Sequence, residues 1–537
     1  MSSGPLPASS AVCDPEKAHI STTTSRLAEY PKGVRLGLII TSLAAAVFLC
    51  ALDETIIATA IPKITDDFKS INDIGWYGSA YFLTFASFRL IFGKLFTFYS
   101  IKHVFLWSIF IFEVGSLVCA VAHASPVFIA GRAIAGLGSA GINAGFIIIL
   151  AASLPLERRP MFVSSYSGMY GIASVVAPLM GGAFTTHLTW RWCFYINLPI
   201  GAAAMAATAF CLRPPSRDEV SATWREKMAQ MDLLGTAVLV PGTVCLLLAL
   251  QWGGSVHAWN SPTLIGLLVT MAVAAVCFIG IQIWKQDQGT VPPRIAKQRS
   301  VACSTIYVFC AGGALNLFQY FPPIWFQAIK GMTAFDSGTR ILPTTLGTVV
   351  FSLVAGFGVS RCGYYTPFMI AGAALLLIST CLTSTWQPSA SNATIIGYQI
   401  IFGAGAGLGI QQSHTAAQTV LADKDVPTGA VVLIFAQILG GTIWLSAGQN
   451  ILTSHLLAGL SQVLPDLDIQ SILDTGATGL RGAVGPGRED VAILAYNYAL
   501  TRTFLCAVGL AAAAFVVSLG MEWRSTKPPK PDSDDSG

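Results

Sequence analysis

Asp53, Glu54, Arg89, Glu113 and Arg132 are ionisable side chains set inside long apolar runs. A lone charge in hydrocarbon costs roughly 3 kcal/mol or more, so each needs a partner, water or a route to an interface. An acid and a guanidinium at one depth on different helices satisfy each other, and a proton that neutralises the acid breaks the pair. That is what proton-coupled movement requires, and the same pair can equally serve as a static bridge. Asp53 lies roughly 25 Å up the first run and Arg132 about five residues below the outer end of the fourth, at 1.5 Å per residue, so both fall in the outer third of a bilayer. Glu54 is about 100° round the helix from Asp53 and therefore faces the outer vestibule or the headgroups. Arg89 lies in the inner third of the second run, where snorkelling to the cytoplasmic face is the simplest account. Glu113, near the middle of the third run, is its alternative partner.

Further along, Gly168, Gly171, Pro178, Gly181 and Gly182 share one run with Ser164, Ser167 and Ala177. Small residues at spacing four let backbones approach, and proline removes one backbone bond. Such a helix suits either an interface between moving halves or ordinary tight packing. The later runs carry neutral polar groups instead: Asn316, Gln319, Gln411, Gln412, His414, Gln418 and Gln437. Asn316, Gln319, Gln411 and Gln437 can line a cavity for a bulky, mostly neutral solute, with Tyr320, Trp325, Phe435 and Trp444 as apolar contacts. His414 reads as a solvated helix end, with a proton relay as the alternative.

The elements that position these groups follow from composition. The 537 residues are 53% hydrophobic and 11% charged, with a mean hydropathy of +0.63. An ordinary soluble protein carries about 25% charged residues. Apolar runs of about 20 residues each cross a bilayer as helices, so the fold class is all-α integral membrane. The spans are expected near 36–60, 75–97, 103–122, 127–150, 161–184, 193–212, 233–252, 262–284, 302–328, 338–359, 366–385, 394–420, 428–457 and 499–521, fourteen in all. The third, with Glu113, and the long thirteenth, which has length enough to tilt or break, are the least regular.

An even number of spans puts both termini on one side. Lys and Arg gather in the tails and in the connections on that side, including Lys17, Arg26, Lys32, Arg35, Arg158, Arg159, Arg294 and Arg299. The positive-inside rule then makes both termini cytoplasmic. The 458–498 connection is expected outside, as a short amphipathic helix with a Gly-rich return. The Asn392-Ala393-Thr394 sequon falls in a short outer loop, where Asn392 is a candidate for glycosylation. The net charge of +4 is spread out and gives no nucleic-acid footprint. Most cysteines sit inside the runs without a CxxC, which argues against a disulfide framework or metal site. The first 35 residues lack an apolar core, so no cleavable signal is expected.

Catalytic and nucleotide motifs are missing in usable form, with no GxxxxGK[ST], HExxH or GxSxG. Gly136-Leu137-Gly138-Ser139-Ala140-Gly141 matches GxGxxG but lies inside an apolar run, where close helix packing is the better reading. The same holds for Gly403, Gly405, Gly407 and Gly409.

Leu52-Asp53-Glu54-Thr55-Ile56-Ile57-Ala58-Thr59-Ala60-Ile61-Pro62 resembles the first-helix signature of the fourteen-span drug:proton antiporters of the major facilitator superfamily. Gly131-Arg132-Ala133-Ile134-Ala135-Gly136-Leu137-Gly138 is similar to their helix 4 arginine motif, and Ala177-Pro178-Leu179-Met180-Gly181-Gly182 to their helix 5 antiporter motif, with Ala177 where glycine is usual. Trp190-Arg191-Trp192-Cys193-Phe194-Tyr195-Ile196-Asn197-Leu198-Pro199-Ile200-Gly201 resembles the marker of the branch that holds fungal toxin and multidrug efflux pumps. One loop departs: in Gly93-Lys94-Leu95-Phe96-Thr97-Phe98-Tyr99-Ser100-Ile101-Lys102, Thr97 stands where the family carries an acid, which puts the usual cytoplasmic charge latch in question.

The resemblance implies a cytoplasmic tail (1–35), a six-helix bundle (36–212), a section with two inserted helices (213–301), a second six-helix bundle (302–521) and a short cytoplasmic tail (522–537). It implies alternating access, with Asp53 and Arg132 as the proton-coupling pair and the proton gradient in place of any cofactor. The expected activity is export of a hydrophobic toxin, secondary metabolite or drug from the plasma membrane, with a vacuolar or vesicle membrane as the alternative site. A siderophore or other solute transporter is the second reading, and a multipass enzyme or receptor a distant third.

Overall fold

A computed structural model describes residues 31–68, 74–212, 232–253, 257–332, 334–463 and 489–527. Fourteen long helices run through them: α1 Gly33–Phe68, α2 Ile74–Phe98, α3 Ile101–Val121, α4 Ser125–Ser153, α5 Arg159–His187, α6 Asn197–Cys211, α7 Leu233–Trp252, α8 Pro262–Lys285, α9 Arg299–Ala328, α10 Leu342–Cys362, α11 Thr366–Thr383, α12 Asn392–Val420, α13 Val426–Val463 and α14 Glu489–Leu519. Each matches one expected span. Thirteen apolar stretches are long enough to cross a membrane, and the apolar stretch of α7, Leu234–Leu250, is the shorter one. The two irregular candidates are continuous: Glu113 does not interrupt α3, and α13 runs 38 residues without a break.

Local chemistry sets the ends. Ser261, Gln298 and Ser391 cap α8, α9 and α12 by accepting a backbone N–H with their side-chain oxygens. Proline opens α4, α5, α8, α10 and α11, where its missing donor costs nothing. Gly363 closes α10 at φ +86°, a conformation that favours glycine. Three boundaries correct the expectations. α1 continues past Pro62 to Phe68. Asn392 is the first residue of α12 rather than part of a loop, and the hydroxyl of Thr394 lies 2.9 Å from the cap oxygen of Ser391. Helices α13 and α14 take both ends of the 458–498 connection, and its centre, 464–488, lies outside the described residues.

Helices α1–α6 and α9–α14 form two bundles, each with its own core. Val47, Phe105, Phe112 and Ile147 centre one; Tyr307, Phe321, Trp325 and Phe402 centre the other. Because lipid is as apolar as leucine, such helices associate through close backbone approach. The glycine runs provide it. A Cβ at Gly136 would collide with the backbone of Tyr81, and one at Gly138 with that of Phe112. Gly403 and Gly407 abut α10, while Gly405 abuts α11.

The pair α7 and α8 lies at the edge, supplying no buried residue to either core but packing Leu239 of α7 against the first core. Apart from Leu264 and Gln282, no residue of α8 is buried, whereas α7 touches α2 and α13 from the two bundles. The bundles meet at the end that carries Gly33 and Thr526. There α5 packs on α10 and α2 on α13, and Ala430, Val431 and Ile434 of α13 join the first core.

Candidate transport site

Arg132 and Asp53 are fully buried, and Arg132 Nη1 stands 2.5 Å from Asp53 Oδ2. The expected pair therefore exists as geometry. Arg132 Nε also donates to the Tyr77 carbonyl at 2.9 Å, and its guanidinium lies 4.6 Å over the Tyr81 ring. The second oxygen of Asp53 faces Asn197 Nδ2 at 3.4 Å, and the same amide lies 3.1 Å from Ser116 Oγ. Asn197 opens α6 and belongs to the Trp190–Gly201 segment. That segment anchors α6 against α1 and α3, because Trp190 Nε1 donates to Asp67 at 2.7 Å and Arg191 to the Ala122 carbonyl at 2.9 Å. The sequence marked the segment but offered no partner for Asn197.

Glu54 turns away from Asp53, as its helical offset requires, but it does not reach the headgroups. It lies 3.4 Å from the hydroxyls of both Tyr81 and Tyr170. Those tyrosines begin a polar network in the first bundle. The Tyr81 hydroxyl is 2.7 Å from Ser139 Oγ, and Tyr166 donates to Asn143 Oδ1 at 2.6 Å. Sequence reasoning missed all of these. The available signal was positional: Tyr77, Tyr81, Phe85 and Arg89 repeat every four residues on one face of α2, and Tyr166 and Tyr170 repeat likewise on α5.

Arg89 and Glu113 correct the expectation in two ways. Arg89 is 1% exposed, so it does not snorkel; the α2 stripe carries it inward, with its guanidinium 4.5 Å over the Phe85 ring. Glu113 does not pair with it, because its carboxyl lies against Gly201 of α6. His414 is buried too, although it is less than two turns from the end of α12, so a solvated helix end does not describe it.

The cavity candidates are dispersed. Gln411 Nε2 donates to Ser167 Oγ at 3.0 Å and ties α12 to α5 across the two bundles. Asn316 packs on Gly441, and Gln437 on Gly312, both in the seam of α9 with α13. Gln319 is exposed. The small-residue helix α5 meets α10 as an interface between the bundles. Gly171 receives Val349, Gly356 receives Ser164, and Ser352 Oγ donates to the Ser164 carbonyl at 3.4 Å. Pro178 and Gly181 continue α5 without a break, and a Cβ at Gly182 would meet open space.

Asp232 organises the inserted pair. It caps α7 at φ +47°, accepting from the Gly235 N–H at 3.0 Å, the Gln282 side chain at 2.8 Å and the Thr290 hydroxyl at 2.8 Å, and it pairs with Lys285 at 3.1 Å. Burial opposes its ionisation, but the bonds from Gln282, Thr290, Gly235 and Lys285 outweigh it and hold the carboxyl below its usual range.

The model of the major facilitator superfamily matches residues 43–448. The chain belongs to this superfamily. Among its relatives, the MFS-type efflux pump MFS1 of Arthroderma benhamiae is 49% identical over 496 residues, 92% of each chain. The MFS-type transporter astH of Aspergillus oryzae is 45% identical over 523 residues, 96% of this chain and 93% of the relative. Two solved structures share the fold. The human organic anion transporter MFSD10 superposes with a TM-score of 0.59 at 12% identity, covering 91% of this chain and 100% of that one. The proton:xylose symporter XylE gives 0.57 at 11%, covering 89% and 94%.

Within this superfamily fold, Thr97 donates to the Gly93 carbonyl of its own helix at 2.9 Å and so supplies no latch. Gly93 still admits Val431 of α13 at the terminus-bearing end, where Arg159 also lies 3.9 Å from Asp423.

Proposed function

We propose that this chain is a proton-driven exporter of hydrophobic small molecules. The observation that carries the reading is the buried Asp53–Arg132 pair, linked to the helix contacts of α1, α2, α4 and α6. A proton on Asp53 removes the charge that holds Arg132, so protonation changes the packing energy of four helices at once. The naming of the fungal relatives as efflux pumps supports export as the direction.

In this reading the terminus-bearing end is cytoplasmic and the membrane is the plasma membrane. The contacts of α5 with α10 and of α2 with α13 close the cytoplasmic side, and rocking of the bundles opens it. Asp53 takes a proton from outside in exchange for substrate carried out. Vesicles loaded with an aromatic dye test it: export should collapse with a protonophore and persist without ATP while a pH gradient is imposed. Transport that follows ATP and ignores the gradient rejects antiport.

A further inference from the structure

Arg89 is a buried cation that the Asp53–Arg132 pair leaves unused. Its Nε and Nη2 make no hydrogen bond, and among the described residues it forms no ion pair within 4 Å. Glu54 lies against the hydroxyls of Tyr81 and Tyr170 rather than against Arg89. In the opposite bundle, His414 is likewise buried, with no hydrogen bond to its Nδ1. The surroundings are aromatic: Phe85 lies under the guanidinium, Tyr81 stacks on Phe85 at 5.9 Å, and Tyr166 meets Tyr170 at 5.0 Å.

We propose that Arg89 is the subsite that binds the acidic group of the exported substrate, and that the substrate class is hydrophobic aromatic acids. A planar guanidinium with two free N–H directions matches the two oxygens of a carboxylate, which a neutral solute cannot supply. Desolvating that cation for a neutral guest leaves it unpaired, whereas an anion satisfies it. The aromatic side chains favour a flat ring system beside the acid. The proposal rests on the export reading for the direction of movement only; binding is separable from it.

The test uses the purified full-length protein in lipid nanodiscs, with anthraquinone-2-carboxylate and its primary amide as matched probes and binding read by tryptophan quenching. The acid should bind tighter than the amide by about tenfold or more, the worth of a hydrogen bond to a charged group. Arg89→Gln should lower acid binding to the amide's level, and Arg89→Lys, a point charge without the fork, should retain part of the preference. Melting temperatures establish that each variant is folded, and if Arg89→Gln does not fold, the parent's acid-to-amide ratio together with Arg89→Lys decides. Equal binding of acid and amide by the parent, a preference that survives Arg89→Gln, or no acid binding by the folded parent overturns the proposal. Acid-selective binding without gradient-driven export removes the export reading and leaves the subsite; export without acid preference does the reverse.

Discussion

Arg132 is held by Asp53, by the Tyr77 carbonyl and by the Tyr81 ring, whereas Asp53 relies on Arg132 and Asn197. The two residues are therefore not equivalent under substitution. Asp53→Asn keeps a hydrogen-bonding side chain beside Arg132 and imitates the protonated acid. It should abolish gradient-driven export per folded molecule while leaving the protein folded. Arg132→Ala strands a carboxylate in the bundle, a loss of about 3–5 kcal/mol for one member of a buried pair, and should lower abundance before transport can be measured. Transport against an imposed pH gradient, normalised to folded protein, is the measurement. Unchanged gradient dependence in Asp53→Asn would reduce the pair to a bridge and make Glu54 or Glu113 the next carboxyl to test. The acid and the guanidinium were legible in sequence because each is an ionisable residue in an apolar run. Asn197 was not, since an amide at a helix start is chemically unremarkable until the fold brings it to Asp53.

Two elements carry predictions of their own. In α5, Gly171 accepts Val349 of α10, and a leucine there would fill the space that Val349 occupies. Gly171→Leu should prop α5 and α10 apart near the middle of the two helices, shifting inter-bundle spin-label distances there to longer values without unfolding either bundle. Unshifted distances in a folded Gly171→Leu would show that this contact does not set the closed state. In the α7–α8 pair, the depressed titration of Asp232 gives a definite sign. A folded-state value below the unfolded one, about 3.9 for Asp, stabilises fully above that unfolded value, and the contribution is lost as pH falls through the folded one. The pair should therefore keep its order at neutral pH and loosen only below about pH 4. Asp232→Asn should remove that acid-sensitive step, as followed by hydrogen exchange at residues 233–236. A step that persists in the variant would assign it to another group.

For the whole molecule, the even number of long helices among the described residues brings Arg35 and Thr526 to the face where the bundles close. Arg35 donates to the Cys211 carbonyl at the foot of α6, and the Thr526 N–H donates to the Gly363 carbonyl at the foot of α10. Tags on either terminus should therefore be reachable only from the cytoplasm, and a tag within 464–488 only from outside. A C-terminal tag found outside would invert the assignment of the two faces. The same arrangement explains why the Gly93 contact survives without the family's acid. Close approach of α2 to α13 depends on the absent side chain of glycine, whereas the charge latch depended on the residue that is Thr97 here.

Hydropathy alone determined the helices of this protein. A run of about 20 apolar residues has one stable solution in a bilayer, in which every backbone group is satisfied within its own helix. Helical periodicity likewise separated Asp53 from Glu54, and residue type identified the acid and base that meet in the first bundle. What periodicity cannot convey is which neighbour a helix face meets. For that reason Arg89 read as free to snorkel, Glu113 stood as its alternative partner, and four amides suggested one cavity. Tertiary structure turned the α2 stripe inward, set Glu113 against Gly201, spread three of the amides over the α5–α12 and α9–α13 contacts and left Gln319 exposed. Partner choice is decided by helix rotation and crossing, which depend on glycines and side chains far apart in the chain.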